Sequence, residues 1–117
     1  MTQDHAERAR ATSAAPAYAA LGDPVRLSIV SRLCASGPLS TSELRAGAGG
    51  ISRQGVTKHL RVLEGAGLLE SVRAARDRQW RLKPSELAGL GGHLERLSSL
   101  WDARVERLRA LTEDGEC

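Results

Sequence analysis

The chain has 117 residues, which is enough for a single domain with a modest hydrophobic core. It contains no apolar run approaching ~18 residues, and its polar N-terminus does not resemble a signal peptide, so we expect a cytoplasmic protein. The two cysteines, Cys34 and Cys117, lack the spacing of a disulfide framework or a zinc ribbon, which fits a reducing compartment.

Positive charge is concentrated in one part of the chain. Residues 52–83 carry eight Lys or Arg against three Asp or Glu, a net charge of +5. Residues 1–51 carry a net charge of +1 and residues 84–117 one of −3, within a total of +3. This distribution indicates that an anionic partner docks on residues 52–83.

The N-terminal part predicts a tail followed by two helices. Residues 1–15 are polar and alanine-rich without apolar periodicity, and we expect a flexible tail there. A short helix follows around residues 18–21. Asp23 and Pro24 have the pattern of an N-cap and a first helical residue, and the helix that they open carries a broad apolar face until residues 37–38.

A short helix, a glycine-rich turn and a longer helix come next. Ser40 and Glu43 form a capping-box pattern that opens the short helix. Three of the four residues 47–50 are glycine, which permits a sharp reversal of the chain. The longer helix begins after Ser52, a good N-cap residue, and ends near the glycines at 65 and 67. This order of elements is typical of a helix-turn-helix.

The longer helix has two different faces. Val56, Leu60 and Leu63 share an apolar face, by the spacing of an amphipathic helix. The opposite face offers donors for guanine and an amide for adenine, as a surface that reads the major groove requires. Its residues are Gln54, Thr57, Lys58 and Arg61. The alternative is an ordinary amphipathic helix whose polar face is merely solvated.

Two strand-like runs follow, at residues 68–73 and 79–82, joined by a basic connection at residues 74–78. They predict a β-hairpin wing. Arg73, Arg76 and Arg78 lie near its tip, where they can meet phosphates or a minor groove. A loop that is only solvated would have mixed charge, whereas this connection has two arginines and one aspartate, with a third arginine just before it.

The last element, residues 84–112, is predicted to be a long helix with an apolar seam. Apolar residues recur there in steps of three and four, as in a coiled coil, over more than three heptads. They are Leu87, Leu90, Leu94, Leu97, Trp101, Val105, Leu108 and Leu111. No other predicted helix is long enough to cover this seam as an intramolecular hairpin, so we expect a second chain to do so. Glycines at 89, 91 and 92 predict a kink or a frayed start.

Three segments resemble ArsR-type winged-helix repressors. They are residues 21–27 (LGDPVRL), 52–63 (SRQGVTKHLRVL) and 65–69 (GAGLL). The resemblance covers residues 18–82 and implies a homodimeric repressor that dimerises through its first and last helices. This chain differs from the usual pattern of the family in the turn before Ser52, which is one residue longer and richer in glycine.

The resemblance does not extend to the metal sites of that family. Metal-sensing members carry a Cys-x-Cys pair where this chain has residues 43–47 (ELRAG), and others use Asp, His and Glu pairs on the last helix, where only His93 and Glu95 are available. Neither set supplies the three or four ligands of a closed site. We therefore expect a subgroup without the metal-sensing cysteine motif, with no metal and no cofactor.

Few residues are candidates for other chemistry. His59 lies on the flank of the longer helix and is expected to pack or to touch a phosphate. Cys34 is expected to be a buried structural thiol, with a redox switch as the alternative. No combination of nucleophile, base and orienting group is present, so we do not expect an enzyme.

These observations predict a mainly α, dimeric winged helix-turn-helix with a small β-hairpin wing. Residues 16–83 would form the DNA-binding domain, residues 84–112 the dimerisation helix and residues 113–117 a tail. The function expected is that of a repressor that binds a palindromic DNA operator. A thiol- or metal-responsive repressor of the same fold, or a protein-interaction module using the last helix, are the alternatives.

We expect DNA contacts from Ser52, Arg53, Gln54, Thr57, Lys58, His59, Arg61, Arg73, Arg76 and Arg78. We expect the dimer interface to contain Tyr18, Leu21, Leu94, Leu97, Trp101, Val105 and Leu108.

Overall fold

A computed structural model describes residues 2–115 and the side chains of residues 3–112, in which five α-helices surround a small antiparallel sheet. The elements are α1 (Thr2–Leu21), α2 (Pro24–Ser36), β1 (Leu39–Ser40), α3 (Thr41–Ala46), α4 (Arg53–Gly65), β2 (Leu69–Ala74), β3 (Asp77–Leu82) and α5 (Pro84–Gly115). Of the tail predicted for residues 113–117, residues 113–115 belong to α5, and residues 116–117 lie outside the described residues. Across residues 2–115, no helix combines the length and the apolar character that crossing a bilayer requires.

The prediction of a loose tail over residues 1–15 is wrong for the described residues, because α1 is helical from Thr2. Eight alanines between Thr2 and Leu21 give α1 a high helix propensity. A contact distant in sequence also holds it, since the Nε atom of Arg96 on α5 donates to Glu7 over 3.0 Å. Helix α1 therefore has a contact with α5 that its own sequence pattern does not predict.

Three predicted N-caps are confirmed. The carboxylate of Asp23 accepts from the backbone N–H of Val25 at 2.9 Å and of Arg26 at 3.0 Å. Ser40 and Glu43 form the reciprocal capping box of α3. The hydroxyl of Ser52 accepts from the third residue of α4 over 3.0 Å. These local bonds fix where α2, α3 and α4 begin.

The wing is larger than the predicted hairpin. Its sheet has the order β1-β3-β2, and the two-residue strand β1 was not predicted. Strands β2 and β3 pair from Leu69–Leu82 to Ala74–Asp77, so the connecting turn is only residues 75–76. The predicted loop of residues 74–78 is therefore wrong, and Arg78 belongs to β3. Ala75 adopts a φ of 54°, in the left-handed region that favours glycine.

The hydrophobic core lies between α4, α2 and the wing. Val56, Leu60 and Leu63 of α4 are fully buried, which confirms the predicted apolar face of that helix. The other fully or almost fully buried large side chains are Ile29, Leu44, Leu68, Leu69 and Trp80. Because the apolar side of α4 is anchored in this core, its opposite side is turned outward.

Helix α5 is continuous from Pro84 to Gly115, so the frayed start predicted at its three glycines is wrong, whereas the alternative of a kink there stays a prediction. Leu90, which was predicted to belong to the apolar seam, is instead buried in the core of its own chain. Beyond it, the large apolar residues of α5 are exposed in the single chain, except for Val105, which is half-buried.

Candidate nucleic-acid interface

The outward side of α4 forms the first part of the candidate interface. Arg53, Gln54, Thr57 and Lys58 border one open surface on this helix. Thr57 is half-buried at its edge, and the other three side chains are exposed. Guanidinium, amide, hydroxyl and ammonium groups thus lie side by side on a rigid helix, with no bulky apolar group between them.

The second part is a cleft of about 250 Å³ between α4 and the wing. Helix α4 contributes Arg53, Thr57 and Arg61, and the wing contributes Arg73, Arg76 and Arg78. The two parts share Arg53 and Thr57, so they form one continuous surface. The structure therefore brings together eight of the ten residues predicted to contact DNA.

The arginines of the cleft differ in how firmly they are held. Arg61 donates to Glu64 over 2.8 Å, and its guanidinium lies 5.7 Å from the centre of the Trp80 ring. Arg78 donates to Ser71 on the neighbouring strand over 3.0 Å. Within the described residues, the side chains of Arg73 and Arg76 are exposed and make neither a hydrogen bond nor an ion pair. With Arg53, which lies 3.4 Å from the carboxylate of Asp77, three of the five arginines of the cleft have a polar side-chain partner and two do not.

Ser52 and His59 lie elsewhere. The Ser52 hydroxyl is engaged as the cap of α4 and borders a separate depression near α3. His59 faces the start of α2, with its Nδ1 atom 3.3 Å from Arg26 and 3.9 Å from the carboxylate of Asp23. The structure therefore gives His59 the packing environment that was one of its two predicted roles.

Asp77 is the charged residue of this surface that the sequence patterns did not predict. Its carboxylate borders the arginine cleft and accepts hydrogen bonds from both the hydroxyl and the backbone N–H of Ser42. The Ser42 hydroxyl is the main reason that the pKa of Asp77 falls to about 2, and the backbone N–H of Arg78 lowers it further. The sequence signal was a single acid in a run of arginines.

Three comparisons with known proteins bear on this surface. Residues 21–72 match the family model described as "Helix-turn-helix domain". The chain is 41% identical over 80 residues to the HTH-type transcriptional regulator Rv2034 of Mycobacterium tuberculosis, covering 68% of this chain and 73% of that protein.

Two solved structures resemble most of the fold. The ArsR-like transcriptional regulator from Rhodococcus sp. RHA1 is 33% identical with a TM-score of 0.67, over 86% of this chain and 92% of that one. The transcriptional repressor BigR from Xylella fastidiosa is 31% identical with a TM-score of 0.63, over 83% and 96%. The chain belongs to the ArsR family of winged helix-turn-helix transcriptional regulators. It is a DNA-binding regulator, and the cleft with α4 is its candidate DNA-binding surface.

This ArsR-family regulator has a second prominent surface, the exposed face of α5. Leu94, Leu97, Trp101 and Leu108 are 53%, 43%, 65% and 58% exposed, although all are large and apolar. Val105 is half-buried between them. So many exposed apolar side chains on one helix are typical of an interaction surface.

Helix α1 lies beside the start of that surface. The Tyr18 hydroxyl and the Nδ1 atom of His93 are 2.8 Å apart, which joins α1 to α5 within one chain. Tyr18 and Leu21, predicted for the dimer interface, both pack partly on their own core. Glu7 has its pKa lowered, chiefly by its hydrogen bond with Arg96.

Cys34 is exposed, so the prediction of a buried structural thiol is wrong. Helix α2 buries Ile29, Val30 and Leu33, and Cys34 lies roughly 90° around the helix from the centre of that face. Among the described residues, no three His, Cys, Asp or Glu side chains are grouped as ligands for a metal ion.

Proposed function

We propose that this regulator is a cytoplasmic repressor that occupies a palindromic operator as a homodimer. The observation that carries the proposal is the continuous surface of α4 and the wing, where one amide, one hydroxyl and six cations face outward together. Residues 16–83 would dock on DNA, and residues 84–112 would join the two chains.

Helix α4 would enter the major groove. Gln54 has the amide that pairs with adenine, and Lys58 and Arg61 have donors for guanine. Arg73 and Arg76 would bind phosphates, because their guanidinium groups project from the hairpin without a partner among the described residues. This divides the surface into a helix that reads bases and a wing that adds affinity.

The face of α5 supports a dimer as the state that binds DNA. A second copy would bury Leu94, Leu97, Trp101 and Leu108 against the same residues of the first, as a two-fold interface requires. Two copies of α4 would then meet successive major grooves ~34 Å apart, which matches a palindromic site. The relative BigR is itself named a transcriptional repressor.

We place this chain in the subgroup that lacks the metal-sensing cysteine motif. Helix α3, Thr41–Ala46, contains neither cysteine nor histidine. Operator affinity should therefore be the same with and without added zinc, cadmium or arsenite. A loss of operator binding on addition of metal would instead favour the alternative, a metal-responsive repressor of the same fold.

Selection of bound sequences from a random pool of DNA duplexes tests the proposal and supplies the operator. A two-fold symmetric sequence is expected. Affinity for that sequence should then fall steeply as salt is added. A plot of the logarithm of the binding constant against the logarithm of the salt concentration should have a slope of about −0.9 for each phosphate contact. A selection without a shared sequence, or an affinity that does not depend on salt, would contradict docking through this surface.

A further inference from the structure

The carboxylate of Asp77 connects three structural elements. Its Oδ2 atom accepts from Ser42 at the start of α3, over 2.6 Å from the hydroxyl and 3.1 Å from the backbone N–H. Its Oδ1 atom accepts from the Arg78 N–H over 2.8 Å and lies 3.4 Å from the guanidinium of Arg53, the first residue of α4. Asp77 itself opens β3 of the wing.

These bonds hold the tip end of the wing at a fixed distance from the two helices of the helix-turn-helix. Asp77 directly follows the two-residue turn of the hairpin, so it is the wing residue nearest the tip that is bonded to a helix. Its side chain is 22% exposed, whereas that of Arg53 is 55% exposed. The carboxylate is thus well fixed, while the arginine it holds remains accessible.

The charge of Asp77 is unfavourable for binding a polyanion. It neutralises part of a cleft whose other charged side chains are all arginines, and it stays ionised at neutral pH because its pKa is about 2. A carboxylate here therefore lowers the affinity for every DNA sequence alike. The favourable contribution of Asp77 is structural, because its hydrogen bonds hold the wing against α3 and α4.

We propose that Asp77 is a positioning residue for sequence discrimination. It fixes the wing relative to α4 and orients Arg53 until a DNA phosphate replaces the carboxylate as the partner of that arginine. A wing at a fixed distance allows α4 to meet the bases in one register only. The inference rests on the proposed docking of α4 and the wing on DNA.

Two substitutions separate the charge of Asp77 from its geometry. Asp77→Asn removes the negative charge and weakens the bonds to Ser42 and Arg53. Ser42→Ala removes the 2.6 Å bond without changing the net charge. Glu70→Gln is the matched control, because Glu70 lies on the same hairpin, is paired with Arg81 at 2.6 Å and loses the same charge.

The measurement is the dissociation constant for the selected operator and for a random duplex of equal length. Asp77→Asn should bind the random duplex more tightly, and its preference for the operator should fall about tenfold, the effect of losing one good base contact. Ser42→Ala should lower the preference in the same direction without tighter random binding. Glu70→Gln should keep the preference of the wild type.

An unchanged preference in both Asp77→Asn and Ser42→Ala overturns the positioning role. If the wild type itself shows no preference, the proposed function fails instead, and a measurement without DNA then decides about Asp77. Amide hydrogen exchange at Ser42 and Arg78 should be faster in Asp77→Asn than in Glu70→Gln. Equal exchange rates would overturn the inference whatever the DNA measurements show.

Discussion

The indole nitrogen of Trp80 donates a hydrogen bond of 2.9 Å to the hydroxyl of Thr41, and both side chains are buried. Trp80 lies in the middle of β3, and Thr41 is the first residue of α3. Strand β1 precedes α3 directly and pairs with β3 at Leu39 and Trp80. The wing is therefore joined to the helix-turn-helix by its core as well as by Asp77.

Thr41→Val should lower the free energy of unfolding by about 1–3 kcal/mol, because it leaves the indole N–H buried without an acceptor. Thr41→Ser keeps the hydroxyl and should lose much less. Urea unfolding followed by circular dichroism, at one protein concentration, measures both. If the valine variant were as stable as the serine variant, the bond would contribute nothing to the fold.

Asp77→Asn should unfold more easily than the wild type at pH 7, and this difference should disappear in acid. The pKa of Asp77 is about 2 in the folded chain and 3.8 ordinarily, so the unfolded chain takes up the proton first as the pH falls. The stabilisation is complete above about pH 4 and is lost as the pH falls through about 2.

Thermal unfolding of both proteins between pH 7 and pH 2 tests this expectation. Asp23 and Glu7 also have lowered pKa values, so their protonation in acid destabilises both proteins. This effect is equal in the two proteins and cancels in the difference between their stabilities. A difference in stability that stays constant down to pH 2 would show that the carboxylate of Asp77 is not held as the structure indicates.

Sequence patterns predicted the parts of this fold that depend on near neighbours. The caps at Asp23, Ser40 and Ser52 each involve residues two or three positions away, and the apolar face of α4 follows from helical periodicity alone. The polar face of α4 was predicted for the same reason, since Gln54 and Lys58 are about one helical turn apart.

The features that were missed depend on contacts distant in sequence. Helix α1 is held by Arg96, which is 89 residues from Glu7, and strand β1 is only two residues long and needs β3 as its partner. Asp77 looked like one acid in a basic loop because Ser42, its main partner, is 35 residues away. Periodicity contains no information about such pairs.

Arg61→Ala and Arg76→Ala should affect DNA binding in different ways. Arg61 is held by Glu64 and lies over the ring of Trp80, so it is oriented to contact a base, and its loss should relax sequence preference by about 1–3 kcal/mol. Arg76→Ala should weaken binding to all DNA sequences alike. It should also reduce the slope of log affinity against log salt concentration by about 1.

Arg107→Ala on α5 removes the same charge away from the candidate surface and is the matched control for both. Dissociation constants for the operator and a random duplex, at several salt concentrations, distinguish the three variants. If Arg61→Ala and Arg76→Ala both behave like Arg107→Ala, the cleft does not contact DNA.

Leu97→Asp should convert the proposed dimer to a monomer of 12.5 kDa. Leu97 is 43% exposed within its own chain, so a carboxylate there is solvated in the monomer but would be buried between two copies. Ser99→Asp adds the same charge to the opposite side of α5, roughly 160° from Trp101, and should remain dimeric.

Light scattering during size-exclusion chromatography gives the masses, and circular dichroism shows whether both variants stay helical. A monomer would also bind the operator about 100-fold more weakly, because the second half-site no longer adds its contacts. If Leu97→Asp remains a dimer with full affinity, the two copies meet through a surface other than this face of α5. Dissociation by Ser99→Asp as well would show that any added charge destabilises the assembly, and the seam would lose its assigned role.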